Sequence, residues 1–207
     1  KIGRLANADI IGTVSRWLDR IRPPVVVVDP VMIATSGDRL LAADAETGIR
    51  DLARRADLVT PNVPELAVLA GEPVAHTWPE TLAQARRVAA ALAVRVLAKG
   101  GHLDGDAAPD ALVEPDGTTI EFPGRRINTT STHGTGCSLS SAVATLRPQS
   151  DSWPAAVGRA KAWLAESIQH GVDLRVGAGH GPVSHFAGLW ARARIDTRTT
   201  PDDVPAQ

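Results

Sequence analysis

Four consecutive valines, Val25–Val28, stand between Pro24 and the dipeptide Asp29-Pro30. β-branched residues favour extended backbone, and the run contains no polar residue that could face water. A strand of this kind has to be covered on both faces, which is typical of a parallel sheet flanked by helices. The run therefore predicts an α/β fold.

Helical and strand-like segments alternate along the rest of the chain. Apolar spacing predicts helices over 6–22, 44–55, 64–70, 79–92, 134–146 and 153–171, and strands over 25–29, 58–60 and 94–99. This alternation is typical of a doubly wound sheet. Apolar segments around Pro115-Asp116-Gly117 predict a β-hairpin and an antiparallel edge.

Composition limits the classes of function. A chain of 207 residues accommodates one α/β domain, expected over 1–195, and residues 196–207 lack apolar periodicity and are expected to form a flexible tail. A net charge of −1 without a basic stripe or a long apolar segment argues against nucleic-acid and membrane partners. We therefore expect a cytoplasmic protein with small-molecule ligands. The one cysteine, Cys137, excludes internal disulfides and a Cys-rich zinc site.

The glycine-rich segment Gly134-Thr135-Gly136-Cys137 leads directly into a predicted amphipathic helix. Glycines allow the backbone to approach a ligand closely, and the first N–H groups of a helix attract negative charge. The segment predicts a phosphate site. The alternative is an ordinary loop before a packing helix, because short glycine motifs are common.

Polar residues follow the predicted strands at the edge where α/β proteins bind ligands. Asp29 ends the first strand, Asn62 follows the second, and Lys99 ends the third. Each has a structural alternative: Asp29 as a turn residue, Asn62 with Glu65 as a helix capping box, and Lys99 as a surface lysine. No Walker A motif is present, so phosphates need another binding element.

Five segments together resemble a known family. They are Asp29-Pro30-Val31-Met32 with Thr35-Ser36-Gly37-Asp38, Thr60–Glu65, Lys99–His102, Thr132–Cys137, and Gly179–Val183. In this order they closely resemble the hydroxymethylpyrimidine/phosphomethylpyrimidine kinases of thiamine biosynthesis, in the ribokinase-like superfamily. The resemblance implies a three-layer α/β/α fold with a mostly parallel sheet. It also implies phosphorylation of 4-amino-5-hydroxymethyl-2-methylpyrimidine and its monophosphate with ATP and Mg²⁺, and we expect a homodimer.

The resemblance also implies roles for individual residues. The expected sets are Cys137, Gly134, Gly136 and Lys99 for catalysis; Lys99, Asn62, Thr135, Gly134 and Gly136 for the nucleotide; Gly3, Arg4, Met32 and Cys137 for the substrate; and Asp29, Asn62 and Glu65 for Mg²⁺. A thiol at a helix N-terminus is readily deprotonated, so Cys137 is a candidate base. The alternative is a small residue that shapes the pocket.

The chain departs from the family pattern at two places. Arg4 stands where the family usually has Met, which leaves substrate identity open: the alternatives are an arginine that favours a phosphorylated substrate through charge-assisted contacts and one that turns outward. The family's glycine-rich N-terminal segment has no counterpart, and we expect that an N-terminal part is missing.

Three other functions stay open at this point. The first is a pyridoxal or pyridoxine kinase, which belongs to the same class of enzyme. The second is a thiol hydrolase that uses Cys137 with His133 or His180. The third is a non-catalytic fragment or paralogue that keeps the fold.

Overall fold

The computed structural model describes residues 1–32, 45–176 and 179–193. The chain forms two compact units, Lys1–Arg126 with Gly136–Ala160, and Ile127–Thr135 with Lys161–Gln207. The segment 35–38 and the predicted tail 196–207 lie outside the described residues. Within the described part, no helix is long and apolar enough to cross a membrane.

The elements follow the predicted alternation. The helices are α1 Ala8–Ile21, α2 Glu46–Ala53, α3 Val63–Ala70, α4 Trp78–Leu92, α5 Thr135–Leu146, α6 Trp153–Gln169 and α7 Ala187–Ala193. The strands are β1 Val27–Val28, β2 Leu58–Val59, β3 Arg95–Lys99, β4 Asp110–Val113 and β5 Thr119–Phe122. Short 3₁₀ helices cover Arg147–Gln149 and Gly171–Leu174. The six predicted helices are confirmed, whereas α7 was not predicted.

Strand β1 is shorter than the predicted 25–29. The N–H of Val26 donates to the Asp57 carboxylate at 2.7 Å instead of to a backbone carbonyl, so the ladder begins at Val27. On its other side the segment is held by Ile2, whose N–H donates to Val27 and whose carbonyl accepts from Asp29. The residues beyond the ladder thus stay bonded without forming a regular strand.

The five strands lie in chain order, and the sheet is mixed. Strands β1, β2 and β3 pair in parallel, whereas β3, β4 and β5 pair antiparallel. Gly117, at a φ of +87°, closes the hairpin between β4 and β5. The antiparallel edge is confirmed. The described sheet has two antiparallel and two parallel strand pairs, so it is mixed and not mostly parallel.

Both faces of the three parallel strands are buried. Val28, Val59 and Val96 belong to a core that includes apolar residues of α1 to α4. Successive strand residues point to opposite faces, and Val27 and Leu58 on the other face are also fully buried. The valine run therefore has the double coverage that its composition predicts.

Parallel pairing brings the carboxyl ends of three strands to one edge. Thr60 donates its N–H to the carbonyl of Val28, and Lys99 donates to the carbonyl of Pro61 at 3.0 Å. A parallel bridge joins Asn62 to Lys99. Asp29, Asn62 and Lys99 are thus placed at this edge by backbone pairing alone.

Two glycines, Gly100 and Gly101, follow β3, and we predict that replacing them by alanine has different effects on stability. A Cβ at Gly100 would lie 2.4 Å from the carbonyl oxygen of Pro109, whereas a Cβ at Gly101 would have nothing within 4 Å. We expect Gly100→Ala to destabilise the protein by about 1–3 kcal/mol, because overpacking forces backbone shifts. Gly101→Ala is the matched control and should leave the melting temperature unchanged or slightly raised. Equal melting temperatures for both variants would contradict the prediction.

Candidate active site

A buried carboxylate lies at the centre of the edge described above. Asp29 is 1% exposed and accepts hydrogen bonds from two hydroxyl groups. The Oγ1 of Thr60 lies 3.1 Å from Oδ1, and the Oγ of Ser140 lies 3.1 Å from Oδ2. Ser140 is on α5, so this contact connects the first turns of that helix to the end of β1. Burial of a carboxylate is costly without such partners.

Lys99 pairs with the same carboxylate. Its Nζ lies 3.2 Å from Oδ1 of Asp29, and its side chain is only 14% exposed. A Cβ at Gly136 would lie 3.3 Å from Nζ, so the ammonium group faces the first turn of α5. The first N–H groups of a helix have no acceptor within the helix. A fixed cation and helix N–H groups thus meet at one place, and Lys99 is not a free surface lysine.

Asn62 and Glu65 form a complete capping box at the start of α3. Oδ1 of Asn62 accepts from the N–H of Glu65 at 2.9 Å, and Oε2 of Glu65 accepts from the N–H of Asn62 at 2.9 Å. The structural alternative considered for this pair is therefore confirmed. A metal role for the two residues is compatible with the capping box and stays a prediction.

Burial controls the charge of Glu65, which is 3% exposed. Loss of solvation raises the pKa of this carboxyl to about 7, and the Asp29 carboxylate also acts to raise it. The Lys99 ammonium and the N–H groups of Asn62 and Met32 act in the opposite direction. The carboxyl is thus poised to change charge near neutral pH.

The glycine turn before α5 has the backbone geometry that a glycine makes possible. Gly134 has a φ of +85°, and Thr135 begins α5 with its Oγ1 donating to the carbonyl of Thr132 at 2.6 Å. In the same unit, the N–H of His133 donates to the carbonyl of Gly181 at 3.1 Å. The predicted turn at 179–182 therefore packs against this loop.

The thiol follows the turn directly. Cys137 is a free, exposed cysteine in the first turn of α5, next to Gly136 in the chain. It follows the glycine that faces Lys99, and its contact with an acceptor group stays a prediction. No group of three His, Cys, Asp or Glu residues is arranged as a metal site in the described ranges.

The predicted substrate residues differ in their surroundings. Met32 is buried and its N–H bonds to Glu65, whereas Arg4 is exposed. Gly3 is half-buried, and a Cβ there would lie 2.6 Å from Nζ of Lys1. Lys1 in turn reaches to 3.8 Å from Oδ2 of Asp29.

Sequence reasoning missed Lys1 and Ser140. Ser140 lies four residues after Gly136, which is one helical turn, and this spacing is the signal that could have found it. Lys1 and Gly3 lie on the same side of an extended segment, so the alternation of side chains could have paired them.

Comparison with known proteins agrees with the geometry of the site. The family model described as phosphomethylpyrimidine kinase matches residues 1–184. The chain belongs to the phosphomethylpyrimidine kinase family. It is 46% identical over 191 residues to the hydroxymethylpyrimidine/phosphomethylpyrimidine kinase of Salmonella typhimurium, covering 92% of this chain and 71% of that protein.

Two further proteins, one compared by sequence and one by structure, are also similar to this chain. A thiamine biosynthesis multifunctional protein of Corynebacterium glutamicum is 46% identical over 97% of this chain, which spans only 26% of that protein. The crystal structure of an ADP complex of Bacillus subtilis pyridoxal kinase matches with a TM-score of 0.78 at 26% identity, covering 91% of this chain and 68% of that one. The predicted ribokinase-like α/β fold is confirmed.

The pKa of Glu65 predicts how stability depends on pH. Because the folded-state pKa lies above the ordinary value of 4.5, the folded protein holds this proton more tightly than the unfolded chain does. In EDTA-treated protein, Glu65 should therefore lower the free energy of unfolding progressively as pH rises from about 4.5 to about 7, by up to about 3 kcal/mol. Glu65→Gln should remove this dependence, which urea unfolding between pH 5 and 8 measures.

A second capping box, formed by Thr77 and Glu80 at the start of α4, supplies the control for the Glu65 variant. Glu80 bonds to Thr77 and to the N–H of His76, is exposed, and has a lowered pKa because of these hydrogen bonds. Glu80→Gln should therefore differ from wild type by a constant amount over pH 5.5 to 8. The assignment is wrong if Glu65→Gln shows the same constant difference.

Proposed function

We propose that this protein transfers the γ-phosphoryl group of ATP to 4-amino-5-hydroxymethyl-2-methylpyrimidine and to its monophosphate. Family membership supports the reaction class. The observation that carries the proposal is the position of Lys99, held by buried Asp29 and facing Gly136 in the first turn of α5. This is an arrangement for stabilising a phosphoryl group without a Walker A loop.

Lys99 and the first turn of α5 act by electrostatics. Phosphoryl transfer has a loose transition state in which charge spreads over the oxygens of the group in transit. A fixed ammonium and helix N–H groups stabilise that charge and need no reorganisation when it develops. Asp29 and Ser140 hold Lys99 and α5 in place. Gly134 and Thr135 stay predictions for the nucleotide.

Asp29, Asn62 and Glu65 would hold Mg²⁺. Their oxygen donors suit this ion, and the repulsion between the carboxyls of Asp29 and Glu65, which acts to raise the pKa of Glu65, would be relieved by a divalent cation. When bound, Mg²⁺ supplies charge neutralisation on the nucleotide phosphates. Direct ligation by Asp29 competes with Lys99, so water-mediated contact fits this carboxylate best.

Cys137 is the proposed base for the alcohol. Its exposed thiol follows Gly136, so an acceptor hydroxyl placed against the first turn of α5 has the sulfur as a neighbour. Gly3 and Met32 are proposed to line the acceptor pocket. A homodimeric state and a cytoplasmic location stay predictions.

A panel of acceptors tests the reaction. ADP release is measured with the pyrimidine alcohol, its monophosphate and pyridoxal, each with ATP and Mg²⁺. We expect turnover with the two pyrimidines. Pyridoxal is the second candidate, favoured by the fold similarity to a pyridoxal kinase. Turnover of thioesters or esters without ATP would replace the proposal by a hydrolase, and no turnover at all would indicate a non-catalytic protein.

A carboxylate at Gly136 should block phosphoryl transfer. The side chain of Gly136→Asp would lie against Nζ of Lys99 and pair with it, which removes the cation from the phosphates. We expect kcat to fall by about 10²-fold or more. Ser141→Asp adds the same charge to an exposed position of α5 and serves as the control. Unchanged kcat in a folded Gly136→Asp protein would remove this turn from the mechanism.

Replacement of the thiol tests the proposed base. We expect Cys137→Ser to lower kcat for the alcohol by about 10²-fold or more, because a hydroxyl is a far weaker acceptor of the proton. The chain has one cysteine, so thiol alkylation followed by mass spectrometry reads this residue alone. Bound substrate should slow the alkylation. A serine variant that keeps most of its activity would mean that the thiol only shapes the pocket.

A further inference from the structure

The site holds a second lysine that the mechanism above does not use. Nζ of Lys1 lies 3.8 Å from Oδ2 of Asp29, on the opposite oxygen from the one that Lys99 contacts at 3.2 Å. The Lys1 side chain is 18% exposed, so it extends into the site and not into solvent. Two ammonium groups therefore share one buried carboxylate.

The path of the Lys1 side chain is fixed by its neighbours. Hydrogen bonds from Ile2 to Val27 and from Asp29 to Ile2, at 2.8 and 2.9 Å, hold this segment beside β1. The ammonium group occupies the space beside Gly3 that a Cβ would fill, at 2.6 Å. Any larger residue at position 3 would displace the lysine, so glycine leaves room for it.

The charges at Asp29 do not balance. The carboxylate already accepts from the hydroxyl groups of Thr60 and Ser140, and it supplies one negative charge to two cations. A partly buried excess of positive charge is costly unless an anion joins it.

We propose that Lys1 binds the phosphate of a phosphorylated acceptor, so that it selects for the second of the two phosphoryl transfers. This inference rests on the proposed function. A phosphate monoester is largely a dianion at neutral pH, and it has to approach the γ-phosphate of ATP, which is also negative. Lys99 neutralises the group in transit, and Lys1 neutralises the acceptor.

The chemical step balances without a base. An oxygen of the acceptor phosphate attacks the γ-phosphorus and forms a new P–O bond. The bond from that phosphorus to the β,γ-bridging oxygen breaks, and ADP leaves with the electron pair. The acceptor dianion has no proton to lose, whereas the alcohol has to lose one. The two acceptors therefore place different demands on the same site.

Both acceptors are compared in one set of variants of the full chain. We expect Lys1→Gln to lower kcat/KM for the monophosphate by about tenfold or more relative to its effect on the alcohol, as for loss of one charge-assisted hydrogen bond. Lys1→Arg keeps the charge and should restore most of the ratio. Arg20→Gln removes an exposed positive charge from α1 and is the control, which should change the two acceptors equally, whereas Arg4→Gln tests whether the exposed arginine of the same segment holds the phosphate instead.

Several results would overturn the assignment. Equal losses for both acceptors in Lys1→Gln would make Lys1 a structural partner of Asp29. A selective loss in Arg4→Gln instead would move the acceptor phosphate to that residue. Wild-type turnover of the alcohol alone would remove the monophosphate as a ligand. Turnover of neither pyrimidine would refute the proposed function itself.

Lysine footprinting tests the same contact without a variant. The chain has three lysines, Lys1, Lys99 and Lys161, so acetylation mapped by mass spectrometry resolves each of them. The monophosphate should protect Lys1 more than the alcohol does, with Lys161 as the internal reference. Equal protection of Lys1 by the two acceptors would contradict the proposal.

Discussion

The buried carboxylate of Asp29 is the interaction on which the site depends. It accepts from Thr60 at the end of β2 and from Ser140 on α5, and it pairs with Lys99 at the end of β3. Three elements that are far apart in the chain are thus fixed to the end of β1. Removal of this charge would leave two lysines near each other and without their shared partner, which is more costly than the loss of one ion pair. Asp29 is therefore a structural centre that sets the positions of Lys99 and of the first turns of α5.

The sheet makes such a buried charge possible. Val27 and Val28 are fully buried on opposite faces, so the strand that leads to Asp29 is fixed from both sides. The register of the parallel pairing of β1 with β2 and of β2 with β3 sets where each strand ends relative to its neighbour. The antiparallel hairpin covers the far edge, where the close approach of Gly100 to Pro109 fixes the start of the loop after β3. Polar groups at the strand ends then meet without any long loop of their own.

Much of this arrangement follows from the sequence. Valine-rich strands, helical spacing and the hairpin turn predict the fold, and the five segments predict the family. The contact between Ser140 and Asp29 joins residues 111 positions apart, so no local pattern contains it. The pKa of Glu65 depends on its burial and on the distances to Asp29 and Lys99, which only the folded chain defines. Helix α7 is short, and the apolar residues Phe186, just before it, and Leu189, within it, stay exposed, so its periodicity gives no clear signal.

The two oxygens of Asp29 suggest how one site serves two acceptors. Oδ1 pairs with Lys99, which faces the first turn of α5, and Oδ2 lies beside Lys1. An alcohol needs a group that takes its proton, and Cys137 in the first turn of α5 is the base proposed for it. A phosphate needs no base but does need a cation, and Lys1 is the cation proposed for it. The Asp29 carboxylate lies next to both ammonium groups. In this proposal Lys1 supplies the extra positive charge that the phosphorylated acceptor needs, and Lys99 keeps its position for both acceptors.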